Sequence, residues 1–98
     1  MMRLSVIEIG IIKKIAQKIY EKDVKVFIFG SRADDTKKGG DIDLYIETTK
    51  NATIQDKLNF LVDFENKMGE QKVDIIVKTP ISKPKEIFEI ARNSGILL

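Results

Sequence analysis

Three aspartates carry the chemistry open to this sequence. Asp41 and Asp43 flank one isoleucine in Asp-Ile-Asp, and Asp74 sits in Val-Asp-Ile-Ile-Val. All three interrupt β-branched, apolar runs, where aspartate is depleted. Residues two apart in a strand share a face and lie roughly 6.5 to 7 Å apart. Asp41 and Asp43 therefore point the same way, opposite Ile42, Leu44 and Ile46. Asp74 holds the equivalent polar position in its own run. Adjacent strands lie about 4.8 Å apart, so the three carboxylates converge if those strands pair. Like charges so placed repel, and raise one another's pKa unless a cation offsets them. A cluster of this kind suits a two-metal phosphoryl-transfer centre, with ions roughly 3.5 to 4 Å apart clamping the attacking and leaving oxygens. The third carboxylate is also suited to accept the proton of an incoming hydroxyl.

Composition narrows the choice further. The chain has no histidine and no cysteine, so the commonest general base, thiolate zinc sites and cysteine nucleophiles are excluded. Carboxylates, hydroxyls, lysines and arginines must do any catalysis, and any metal is a hard, oxygen-liking one such as Mg²⁺. The net charge is +2, from 17 basic and 15 acidic residues. That balance lacks the basic excess of a duplex binder and disfavours direct nucleic-acid binding.

Upstream of the aspartate pair, Gly30 and Ser31 end an apolar run. Glycine lets backbone approach a ligand closely. A serine opening a helical turn offers its hydroxyl and free N–H groups to phosphate. Arg32, Lys37 and Lys38 follow in the same loop, available to meet phosphate charge. Each element alone has an ordinary explanation: Gly-Ser as a turn, Asp-x-Asp and Asp74 as solvated or edge-strand devices, and the loop cations as solvated. Their conjunction, in this order, carries the inference.

The elements that must position these residues are legible in outline. Ser5 to roughly Lys22 places Ile12, Ile15, Ile19, Ile11 and Ala16 at helical spacing, and Ser5 with Glu8 fits a capping box. Val24 to Phe29 reads as a strand ended by Gly30. Asp41 to Glu47 alternates as a second strand. Thr53 to Met68 is a helix on Leu58, Leu61, Val62 and Phe64, closed by Gly69. Lys72 to Lys78 is a third strand, and a last helix starts at Ser82 and Pro84, carries Ile87, Ile90 and Ala91, and stops at Gly95. The order αβ(loop)βαβα predicts an α+β fold, a small mixed β-sheet with helices packed on one face. Ninety-eight residues suit a single domain over 1–98 with one core and no separate substrate domain. The amino-terminal stretch lacks the pattern of a signal peptide, and no run approaches the roughly 20 apolar residues of a membrane helix, so the expected location is the cytoplasm.

In "GSRA…GGDIDL" and "VDIIV" the sequence resembles the DNA polymerase beta-like nucleotidyltransferase superfamily, and within it the minimal nucleotidyltransferases. The resemblance covers nearly the whole chain, including the closing "SGILL". It implies that Gly30 and Ser31, helped by Arg32, bind the nucleoside triphosphate. It implies that Asp41 and Asp43 bind two Mg²⁺ ions and that Asp74 completes the metal and catalytic set. Two departures stand out: the spacing from Ser31 to Asp41 is one residue shorter than is usual there, and Gly40 replaces a common serine. Many minimal nucleotidyltransferases resemble antitoxins paired with a HEPN-domain ribonuclease toxin. The implied activity is protein adenylylation, transfer of AMP from ATP to a tyrosine hydroxyl of that partner. The competing reading is a non-catalytic antitoxin that neutralises its partner by complex formation; transfer to a nucleic acid or small molecule is a third. Homo- or hetero-oligomerisation is left open.

Overall fold

The computed structural model describes residues 5–30, 42–69 and 72–98. Helix α1, Val6–Ile19, starts at the capping box that Ser5 and Glu8 imply. Glu8 N–H donates to Ser5 Oγ at 3.1 Å, and Ser5 N–H donates to Glu8 Oε1 at 3.0 Å. Orphan donors of the first turn are thereby satisfied reciprocally. The chain then runs through β1, Lys25–Phe29, and β2, Ile42–Glu47, into α2, Ile54–Met68. A second capping box, Thr53 with Asp56, opens α2, and Gly69 at φ 81° closes it. Strand β3, Val73–Lys78, helix α3, Glu86–Ser94, and a two-residue strand β4, Ile96–Leu97, complete the order.

The sheet order is β3-β2-β1-β4. Strand β2 runs parallel to β3 and antiparallel to β1, and β4 is antiparallel to β1. The expected α+β class, mixed sheet and element order are all present. Strand β4 is an addition, since two residues are too few to show a periodicity.

Strand alternation sorts the apolar residues into two layers. Val26, Ile28, Ile42, Leu44, Ile46 and Ile75 pack on one face against α1 and α2. Helix α2 contributes Phe60 and Phe64, both fully buried, each worth about 1.5 to 3 kcal/mol relative to exposure. Leu58 and Val62, expected on that buried stripe, are exposed at 49% and 57%. The helix is rotated to seat its two aromatic rings, which carry the larger area.

The third helix departs from the single-face arrangement. Phe88 and Ala91 of α3 pack with Phe27 and Tyr45 on the opposite face of the sheet. Ile87 and Ile90, expected to face inward, stay outside, because Phe88 takes the place against Tyr45. Ser82 does not open α3. It closes a turn in which Thr79 N–H donates to Ser82 Oγ at 3.0 Å, and Lys85 occupies the helix N-cap position.

Candidate active site

The pairing that the sequence left open is settled by the parallel β2–β3 ladder. Asp43 and Asp74 are direct register partners, as are Leu44 with Ile75 and Tyr45 with Ile76. Partnered residues on neighbouring strands point to the same face, about 4.8 Å apart along the hydrogen-bonding direction. Leu44 and Ile75 enter the layer under α1 and α2, so Asp43 and Asp74 stand on the other face. Asp43 is half-buried on the inner strand, and Asp74 is exposed on the edge strand.

Gly30 joins this pair from the end of β1. Phe29 is the register partner of Asp43, so the next residue leaves the sheet beside that aspartate. Gly30 has φ +73°, the left-handed region where a Cβ is disfavoured by roughly 1 to 2 kcal/mol. A Cβ at Gly30 would also overlap the Asp43 carboxylate, with Oδ2 its nearest neighbour. Glycine is therefore favoured here by its backbone conformation, and a Cβ in its place would make the Asp43 carboxylate turn aside.

The described residues thus bring together Gly30, Asp43 and Asp74. Ser31, Arg32 and Asp41 lie outside the described residues, as do Lys37 and Lys38. Among the described residues no group of three or more carboxylate, imidazole or thiol side chains gathers in one place. The pair Asp43–Asp74 is the part of the expected carboxylate set within view.

The same face carries a network that sequence reasoning did not single out. Tyr45, two residues on from Asp43, is buried between the rings of Phe27 and Phe88, at centroid distances of 5.6 and 5.7 Å. Its hydroxyl donates to Glu47 Oε2 at 2.8 Å, and Arg92 of α3 donates to the same oxygen at 3.1 Å. Burial foremost, then the hydrogen bond to Glu47 and its charge, push the Tyr45 hydroxyl above its ordinary pKa. The strict alternation of β2 already placed Tyr45 and Glu47 on the aspartate face. What it lacked was a sign that α3 covers them. The face is therefore divided: α3 roofs its Tyr45–Glu47 end, while Asp74 is exposed at the other.

Chemically, two neighbouring carboxylates on an accessible strand end are able to take a hard cation or a proton. Residues 9–97, nearly the whole chain, match the family model described as a nucleotidyltransferase domain. No curated protein matches the chain.

Proposed function

The chain belongs to the nucleotidyltransferase domain family, and on that premise we propose that it is a Mg²⁺-dependent protein adenylyltransferase. It transfers AMP from ATP to a tyrosine hydroxyl of a HEPN-domain toxin partner, and acts as the cytoplasmic antitoxin of that pair. The observation that carries the reading is the β2–β3 register, with Asp43 beside Asp74 on one face.

The residues in view fit the cation. Both are hard oxygen donors of the kind Mg²⁺ takes, and Gly30 leaves open the volume in which a methyl group would displace the Asp43 carboxylate. Asp43 and Asp74, with Asp41, would hold a pair of Mg²⁺ ions. Bound there, the ions supply neutralisation of phosphate charge and of the reacting oxygens. Gly30 and Ser31 seat the triphosphate, and Arg32 answers its charge. The acceptor oxygen bonds to the α-phosphorus as the bond to pyrophosphate breaks, and pyrophosphate leaves with the electron pair. Asp74, exposed at the strand edge, takes the proton of that hydroxyl.

The test is to purify the protein from its host with whatever partner accompanies it, then add Mg²⁺ and α-labelled ATP. Label appears on the partner, and Asp43→Ala or Asp74→Ala lowers the rate by at least about a hundredfold. Equal labelling by these variants overturns the reading. Protection of cells by an unlabelling variant establishes neutralisation by complex formation instead.

A further inference from the structure

Strand β3 forms one end of the four-stranded sheet, and its outer edge faces a groove of 570 Å³. Main-chain geometry identifies what that edge offers. Ile42 N–H donates to the Lys72 carbonyl and Thr48 N–H to the Lys78 carbonyl, both at 3.0 Å. In a parallel ladder the groups of alternate residues face alternate sides. Val73, Ile75 and Val77 therefore turn their N–H and C=O groups outward. Among the described residues no strand pairs with them.

Side chains around this edge form an apolar trough with a basic rim. Ile54 of α2, Ile81 and Ile87 of α3 border it, exposed at 80%, 76% and 37%. Lys57 and Lys85 also line it, and among the described residues no carboxylate does. Lys85 lies over the Phe88 ring at 5.7 Å, which holds its charge at the groove wall.

We infer that this groove binds an extended acidic segment of another protein, added as a fifth strand beside β3. Unpaired edge groups provide the main-chain hydrogen bonds of strand addition, and side-chain pockets on either side provide selectivity. Apolar side chains of the added strand fill the trough on the α3 face, beside Ile76, Ile87 and Phe88, while the alternate carboxylates reach Lys57 on the α2 face. A second copy of this chain is a poor occupant, because two-fold pairing of β3 with β3 would bring one basic groove against another. The inference stands apart from the chemistry assigned to Asp43 and Asp74, and each can fail alone.

A labelled peptide of about eight residues alternating glutamate and valine spans a strand of this length. Titrated into the full chain, it binds saturably, more weakly as salt is raised, and slows hydrogen exchange at the Ile75 and Val77 amides. Val77→Pro removes one outward donor without touching the ladder to β2, a placement proline tolerates at an edge. It lowers affinity by at least roughly tenfold, as does the Lys57→Glu, Lys85→Glu pair. If Val77→Pro does not fold by circular dichroism, the charge reversal on exposed side chains decides the matter. Three outcomes overturn the inference: no saturable binding below about 1 mM, equal binding of a lysine–valine counterpart, or a dimer in sedimentation that loss of this edge disperses.

Discussion

Gly30 and Asp43 meet so closely that a methyl group on the glycine would occupy the space of the aspartate's carboxylate. The missing Cβ of the glycine ending β1 thus leaves room for the carboxylate where it stands. Gly30→Ala is expected to destabilise the fold by about 1 to 3 kcal/mol, combining left-handed strain with the overlap. In an Asp43→Ala background the strain remains and the overlap is gone. A double-mutant cycle by chemical denaturation should therefore give a coupling of about 0.5 to 3 kcal/mol. Additive costs would mean that the carboxylate is not held by this contact.

Asp74 tests the like-charge pair from its exposed side. Asp74→Asn keeps the shape and removes one of two charges in register. The metal-free protein should be unchanged or slightly more stable, by up to about 1 kcal/mol. Mn²⁺ added to the wild-type chain should raise its melting temperature, and that response should be lost in the variant. Calorimetric unfolding with and without the ion reads both effects.

Acid should act through Glu21, far from this pair in the chain. Its carboxylate accepts the hydroxyls of Thr48 and Thr49 and the Thr49 N–H, tying the end of α1 to the β2–α2 connection. Those bonds lower its pKa from 4.5 to about 2, that of Thr48 first. A carboxylate depressed in the folded state contributes its full stability above its unfolded pKa, and loses it as pH falls through the folded one. Wild-type stability should therefore decline between about pH 4.5 and pH 2 more steeply than that of Glu21→Gln. Parallel acid-unfolding curves would exclude this role.

Tyr20 offers the opposite case, a group the fold does not use. Its hydroxyl is buried and has no hydrogen-bond partner among the described residues. Burial, with a smaller contribution from the Asp56 charge, pushes its pKa up to about 12. Tyr20→Phe removes an unsatisfied buried hydroxyl and keeps the ring, so stability should be unchanged or raised by up to about 2 kcal/mol. A clear loss in denaturant midpoint would reveal a partner for that oxygen.

Much of this arrangement is legible in the sequence. Ser5 with Glu8 marked the first helix start, Gly69 marked the end of the second, and the alternation around Asp43 and Asp74 put each opposite its apolar neighbours. Those are local signals, carried by residues within one or two turns or along one strand. Register is not local. Asp43 meets Asp74 through a parallel pairing with α2 between the strands, and only the joint packing of α2 and the sheet sets which residue faces which. Helix faces misled for a related reason. In α3, Ala91 is buried as its spacing implies, but Phe88 takes the place expected of Ile87 and Ile90, a choice made by Tyr45 across the layer. The space Gly30 leaves for Asp43 was also beyond the sequence, which shows a glycine but not what approaches it.

The register of β2 on β3 has one more consequence, for how the chain reaches its fold. A slip of one residue would turn Asp74 into the layer beneath α1 and α2, and send Ile75 out in its place. An unpaired carboxylate there costs several kcal/mol, well beyond what the slipped ladder recovers in hydrogen bonds. A misaligned β3 is thus disfavoured by the charge that the aligned register leaves at the surface. Asp74 thereby acts as an error check on how β3 pairs with β2.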